Sequence, residues 1–564
     1  MKKIIYQILP RLWGHYGPDG GGVPKTLGEC GCGKFGSIDE ASLAYIKDLG
    51  VSYVWYTGVI RHATKASENG CVPSHPQLVK GEAGSPYSIT DYYDVNPYLA
   101  DVPSERMSEF ESLIDRTHAA GLKVIMDFIP NHVARDYCRH GSAAPAGTEI
   151  LGAGDDVSVH WRPENDFFYY PGTVLQLPNR KEFDEECSAL RSGDFGRKFN
   201  ILPQWLVDYA AEGGDTGKYA RLLEPFMEAP AKATGNNYTP QPTANDWYET
   251  VKLNYCDFHT GTWDKMLDIV RFWAGKGVDG FRCDMAELVP PEFLTWLIRS
   301  IKEEFPDIIF IAEVYQKNEY GKYVREVGFD MLYDKSGLYD SLRAIVGKNV
   351  NGSGAPELWQ SARQITGSWQ FLGNLQSYML NFLENHDEQR IASPFFAGKA
   401  ENAYAALAVS LLLNTASFLI YAGQEAGEEG MDDEPFSGVN GRTSIFDWWQ
   451  VGSLRMLWRH IHDMEKENSV LERYRELLKF ASCEPAVTEG AMFDLCYCNY
   501  GSEGFDPDRH FAFLRSSAEK TFLIAANFSG ETARMTLNIP PEAIGSRMTV
   551  DMTVQPMDWS VRLI

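Results

Sequence analysis

Gly280-Phe281-Arg282-Cys283-Asp284-Met285-Ala286-Glu287 is the stretch whose reading decides the fold. It follows the helical run Trp263 to Lys276 and a break at Gly277-Val278-Asp279, so Gly280 to Cys283 reads as a short buried strand with Asp284 at its carboxyl end. Side chains alternate along a strand, so Arg282 and Asp284 point the same way. Such a pair holds a carboxylate ionised and aimed, as a nucleophile requires. An isolated Arg-x-Asp is more often a structural ion pair, so a catalytic assignment needs support from elsewhere in the chain.

Three stretches supply that support. Asp127-Phe128-Ile129-Pro130-Asn131-His132 ends the apolar run Leu122 to Met126; Ile308 to Val314 is a strand with Glu313 at its end; Asn381-Phe382-Leu383-Glu384-Asn385-His386-Asp387 closes another. In this order and wording the four stretches resemble the signatures of glycoside hydrolase family 13, the α-amylase family, over nearly the whole chain. The resemblance implies a (β/α)8 TIM barrel, an inserted domain after strand 3 and a C-terminal antiparallel β-sandwich. It also implies a retaining mechanism, with Asp284 as nucleophile, Glu313 as acid then base, and Asp387 gripping sugar hydroxyls. His132 and His386 would donate to those hydroxyls, and Tyr87 would stack beneath the sugar.

The βα rhythm agrees with that fold. Tyr6 to Leu9 begins it, a helix from about Asp39 to Leu49 with Ser37 as its cap follows, and Val51 to Tyr56 is the second strand. Ser104 caps the next helix, Glu105 to Ala120, and Leu122 to Asp127 is the third strand. Strand-helix-strand order forces parallel pairing through right-handed crossovers. Further strands are expected at Gly280 to Cys283, Ile308 to Val314, Gly328 to Tyr333, Ser377 to Phe382 and Ser417 to Tyr421. Two helical segments, Leu454 to Lys466 and Leu471 to Phe480, end the barrel.

The rhythm breaks from Val133 to about Thr250, a stretch rich in Gly, Asn, Asp and aromatic clusters. The expected organisation is therefore a barrel from 1–132 and 251–482, an insert at 133–250, and a sandwich of short alternating strands at 483–564.

Composition bounds the partners. The chain has 564 residues, enough for roughly three to four domains, with 44% hydrophobic and 23% charged residues. Its net charge of -25 argues against nucleic acid, whose phosphates demand Lys and Arg. An α-glucan or oligosaccharide, uncharged, is compatible, and 13% aromatics offer flat faces for sugars, although most aromatics serve packing. No apolar run of about 18 residues appears, so no membrane span is expected. The ten Cys are scattered, Cys30-Gly31-Cys32 is too tight for a zinc pair, and the start lacks a signal-peptide pattern, which favours reduced thiols and a cytoplasmic address. A monomer or small homo-oligomer is expected.

Departures from the family's starch-cutting pattern concern calcium and specificity. Glu287 and Leu288 stand where the family often has Lys and His, Lys252 where an Asp is common, and Pro18-Asp19-Gly20-Gly21-Gly22 lacks a row of Asp and Asn. No cofactor is therefore assigned; a structural calcium is admitted but not required, with Asn131 its candidate ligand. Arg282 is expected to depress its neighbour Asp284, while the apolar strand before Glu313 favours that acid's protonated form.

The leading function is thus a retaining α-glycoside hydrolase acting on α-linked gluco-oligosaccharides or α-glucans. A transglycosylase shares its intermediate. An inactive glycan-binding module usually loses one of the three carboxylates, all present here. A metal-dependent barrel hydrolase using Asp127, His132 and Asp387 fits the residue types but not the spacing of the other motifs.

Overall fold

A computed structural model describes residues 2–14, 26–138, 143–347, 361–431, 433–434, 436–463 and 468–564. The Pro18 to Gly22 stretch and the end of the helix expected to reach Lys466 lie outside them. Eight parallel strands close a barrel: β1 (Ile4–Ile8), β2 (Tyr53–Tyr56), β3 (Lys123–Phe128), β4 (Gly280–Cys283), β5 (Ile309–Ala312), β6 (Met331–Tyr333), β7 (Met379–Phe382) and β8 (Ser417–Tyr421). Closure is by β1 against β8, Ile4 facing Phe418. Every residue of β1, β2 and β4 to β8 is buried, as expected when helices cover a parallel sheet whose lumen is packed with side chains.

Helices follow the strands with two corrected caps. Asp39, not Ser37, caps Glu40–Asp48, its Oδ1 accepting from the Ser42 N–H at 2.9 Å. Ser104 caps nothing: Pro103–Glu105 forms a 3-10 turn, since Pro103 pre-sets φ, and the helix is Arg106–Ala119. Trp273, on Gly261–Gly275, and Phe110 meet edge to face at 5.8 Å, tying neighbouring helices together.

The chain leaves the barrel after β3 through His132–Ala134 and returns through Thr250–Lys252, and these two short strands pair antiparallel with His132 opposite Lys252. Between them lie helices Arg180–Ser192 and Gln204–Ala211, which the sequence reading did not expect, around their own apolar cluster of Phe183, Cys187, Leu206 and Val207. The amphipathic stripe of the first was masked by its seven charged residues. Buried Glu186 stitches the following loop, accepting backbone N–H bonds from Asn200 at 2.7 Å and Leu202 at 2.8 Å.

The C-terminal part is a four-stranded antiparallel sheet, Ala491–Asp494, His510–Ser516, Thr521–Asn527 and Trp559–Leu563, packed beside the ribbon Ala533–Ile539 with Met548–Val554. A 3-10 turn, Cys496–Cys498, follows the first of these strands. Helix Tyr404–Leu412 is buried almost all round because it is wedged between β8 and this sheet. All ten Cys are free, and among the described residues no helix is long and apolar enough to cross a membrane.

Candidate active site

The register of the central strands builds the site. Arg282 on β4 lies opposite Asp127 on β3 and Ile311 on β5, and Cys283 lies opposite Ala312. Asp284 and Glu313 are therefore the next pair along adjacent strands. Backbone bonds carry the ladder to them, Asp284 N–H to Phe128 O at 2.9 Å and Glu313 N–H to Cys283 O at 3.2 Å. The two carboxyl groups emerge side by side at the carboxyl end of the barrel.

Arg282, fully buried, lies beneath both. Its Nη1 is 2.6 Å from Asp284 Oδ1 and 3.6 Å from Asp127 Oδ1, and its Nη2 is 2.8 Å from Glu313 Oε2. The rings of Trp55, Tyr87 and Tyr333 surround the guanidinium at 5.4 to 5.6 Å, so cation–π attraction replaces the lost water on its faces. Asp127 is held by Trp55 Nε1–H at 3.2 Å and Tyr87 Oη–H at 3.4 Å, and its Oδ1 lies 3.6 Å from Arg282 Nη1.

Asp284 departs from the expectation that Arg282 depresses it. Burial raises Asp284 up to about 8, Arg282 pulls against that, and the charges of Glu313 and Asp387 add to the rise. One guanidinium serving several buried carboxylates cannot depress each of them, because its charge is shared while each pays desolvation. Nor is Glu313 in an apolar setting. Besides Arg282, the Met285 N–H donates to Oε2 at 2.9 Å and the Tyr315 hydroxyl donates to Oε1. Met285 reaches that position from a left-handed backbone, φ 45°, the one strained non-glycine residue beside the carboxyls.

On the opposite wall, His386 Nε2 is 3.1 Å from Asp387 Oδ2 and also meets the Tyr87 hydroxyl, while Gln7 Nε2 lies 2.8 Å from Nδ1. The Tyr87 ring stacks on the imidazole at 5.3 Å between centroids. Burial works to lower His386, but the Asp387 charge raises it overall; burial works to raise Asp387, but His386, then Arg282 and Arg442, pull it down to about 2. Asp387 is therefore ionised. Its side chain is 43% exposed toward the cleft and free to meet a ligand.

His132 is neutral, burial and then Lys252 bringing it down to about 3. Asn131 Nδ2–H donates to His132 Nδ1 at 3.1 Å and to Gly235 O at 3.0 Å, which leaves the imidazole proton on Nε2. The Asn131 Oδ1 accepts from Lys252 Nζ, which also donates to Leu288 O at 2.7 Å. The residues here do not fit calcium. A lysine nitrogen already holds the oxygens that a metal would gather, and calcium needs six to eight such oxygens. Among the described residues no group of three or more His, Cys, Asp or Glu could hold a metal ion. Glu287 faces away from Asn131, its Oε1 accepting from Gln316 N–H at 2.9 Å.

Asp284, Glu313, Asp387, Tyr87 and His132 thus line one pocket of about 280 Å³, together with Trp247, Tyr315, Ile445, Phe446 and Lys80. Arg282 lies under its floor, His386 behind Tyr87, and Asn131 behind His132. Two loops meet at the rim, Ala83 N–H bonding Phe446 O at 2.9 Å; Gly81, at φ +66°, passes so close that a Cβ would sit 2.2 Å from the same oxygen. The sequence reading missed Tyr315, although its position two residues after Glu313 places it on the same side of an extended segment. It also missed Gln7, whose signal was a buried amide in an otherwise apolar barrel strand.

Comparisons with known proteins agree with this arrangement. A family model described as the alpha amylase catalytic domain matches residues 26–183 and 247–477. Alpha-amylase 3 of Dictyoglomus thermophilum is 25% identical over 478 residues, 81% of this chain and 74% of that protein. Neopullulanase 2 of Thermoactinomyces vulgaris is 21% identical over 550 residues, 96% of this chain and 71% of that protein. The solved α-amylase of Geobacillus thermoleovorans, in complex with acarbose, superposes with a TM-score of 0.60 at 16% identity, covering 100% of this chain and 98% of the other, a likeness of fold. With the family model spanning most of the chain and the barrel closed around the same signatures, the chain belongs to the α-amylase family of glycoside hydrolases.

Proposed function

We propose that the protein hydrolyses α-linked gluco-oligosaccharides with retention, Asp284 attacking the anomeric carbon and Glu313 acting first as acid, then as base. The observation that carries this reading is the single guanidinium of Arg282 bridging two carboxyls on adjacent strands. Parallel strands lie about 4.8 Å apart, close to the roughly 5–5.5 Å that separates the carboxyls of retaining enzymes and short of the wider gap an inverting enzyme needs for water.

The two neighbouring carboxyls hold one proton between them, and the reactive form carries it on Glu313 with Asp284 as carboxylate; in the first half-reaction Glu313 gives that proton to the glycosidic oxygen, the bond from the anomeric carbon to that oxygen breaks, and an Asp284 oxygen bonds the carbon. In the second, Glu313 takes a proton from water, the water oxygen bonds the carbon, and Asp284 leaves as carboxylate. Ionised Asp387 supports the positive charge that develops between them. Neutral His132 and the His386–Tyr87 stack orient the ring. The expected parts are a barrel of 1–132 and 251–482, an insert of 133–250 walling the pocket through Trp247, and a sandwich of 483–564.

Relatives named as an α-amylase and a neopullulanase support an α-glucosidic linkage. A pocket of about 280 Å³ is at the small end of ligand sites and supports short oligosaccharides as substrates. Incubation with maltoheptaose, with and without glucose as acceptor, tests the reading: shorter products formed first as the α-anomer are expected. Products of β-configuration would overturn retention, and products longer than the substrate would make transfer the main reaction.

A further inference from the structure

Glu313 must deliver its proton from one of two oxygens, and the surroundings choose which. Oε2 accepts from the Met285 N–H at 2.9 Å and forms an ion pair with Arg282 Nη2 at 2.8 Å, and neither nitrogen can accept, so a proton on that oxygen would meet two positive partners. Oε1 meets a single group, the hydroxyl of Tyr315, which also lines the pocket. A hydroxyl, unlike an N–H, both donates and accepts, and it can turn.

We propose that Tyr315 is a positioning residue for proton delivery: its hydroxyl holds Glu313 Oε1 toward the glycosidic oxygen and strengthens its donated hydrogen bond as the carboxyl becomes a carboxylate. The inference rests on the assignment of Glu313 as acid and base. The proton that moves is the one on Glu313; Tyr315 keeps its own throughout, since burial and then the Glu313 charge raise its phenol well above the ordinary tyrosine value. The bond to Oε1 is worth most when Glu313 is charged, after the first proton transfer and before the second.

The loop that carries Tyr315 is fixed at both ends. Val314, pointing the other way, is fully buried, and the Gln316 N–H donates to Glu287 Oε1 at 2.9 Å. Glu287, on the turn that follows the nucleophile, therefore ties the acid's loop to the nucleophile's loop. The charged and titratable groups facing Glu313 are Arg282 and Asp284 from β4, Tyr333 from β6, Asp387 from the loop after β7, and Tyr315 itself.

The test compares wild type, Tyr315→Phe and Glu313→Gln on maltotriose and on α-glucosyl fluoride, whose leaving group needs little protonation. For Tyr315→Phe, kcat/KM on maltotriose should fall about tenfold and its basic limb should move up by about one pH unit, because the carboxylate loses a donor. The same ratio on α-glucosyl fluoride should change less than about twofold, since it reports only the step that no longer needs the acid. Replacing Tyr315 by 3,5-difluorotyrosine, a stronger donor, should move the limb down. Equal losses on both substrates with an unmoved limb in both variants would overturn the proposal. Glu313→Gln should lose maltotriose turnover but still release a single burst of fluoride from α-glucosyl fluoride, because forming the glycosyl-enzyme needs no acid while its hydrolysis lacks the base; if it turns over maltotriose, the assignment of the acid fails instead.

Discussion

Two buried cations hold this active site together, and they differ in what they are buried with. Arg282 lies among Asp127, Asp284 and Glu313 and inside three aromatic rings, and against its burial Glu313, then Tyr333, Tyr87 and Asp284, keep it charged. Lys252, about 3% exposed, meets uncharged partners, the oxygens of Asn131 and Leu288 and the Tyr238 ring at 5.4 Å, and burial lowers it to about 7. The difference teaches that desolvation alone does not set the charge of a buried base; the charge of its partners does. Arg282 acts as a fixed counter-charge for chemistry. Lys252 acts as a tie between the exit of the insert and the turn after the nucleophile, and an amine ties those two oxygens whether or not it carries its third proton.

The comparison can be broken first at its anionic side. Asp284→Asn should lower kcat by about 10⁴-fold or more, because the attacking oxygen is gone, while its melting temperature holds or rises, since a carboxyl pushed up by burial is replaced by a neutral amide. Arg282→Met removes the cation and leaves three carboxylates without their counter-charge. It should cost about 3–5 kcal/mol of stability in denaturant titration as well as activity, and a stable, active Arg282→Met protein would show the site held by other means.

Breaking the other cation should do less. Lys252→Met should cost about 1–3 kcal/mol, the range for leaving buried acceptors unsatisfied, and should lower activity through a loosened insert, read as a rise in KM more than a fall in kcat. Its pH dependence sharpens the contrast. Between pH 7 and 10 the unfolded chain keeps a proton that folded Lys252 gives up, so wild-type stability should gain on the variant by about 1.4 kcal/mol per pH unit as pH rises. The smallest effect is expected from a chelator, which should leave the melting temperature of the wild type unchanged; a fall of several degrees would show that a metal supports the insert despite Lys252.

The fold was legible because the barrel writes itself locally. Short runs such as Ser417–Tyr421 and Gly280–Cys283 end at Gly and polar breaks, and the pocket carboxyls Asp284, Glu313 and Asp387 follow the carboxyl ends of their strands. The insert was less legible: Arg180–Ser192 carries its apolar stripe among seven charged residues, and its core is a separate small cluster that no periodicity over the whole insert reveals. Caps were misplaced where two residues competed, as Asp39 did with Ser37, since a carboxylate accepts the first-turn N–H groups at least as well as a hydroxyl.

By itself the sequence determined the barrel order, the three pocket carboxyls and the Arg282–Asp284 pair, because these depend on alternation within a strand and on which strand end a residue occupies. Only the tertiary structure decided how charge is distributed over them. That Arg282 also pairs with Glu313, that Tyr315 and Met285 each donate to one of its oxygens, and that Lys252 meets Asn131 all depend on register between strands distant in sequence. Burial and shared partners set the protonation of each group, and neither exists until the barrel has closed.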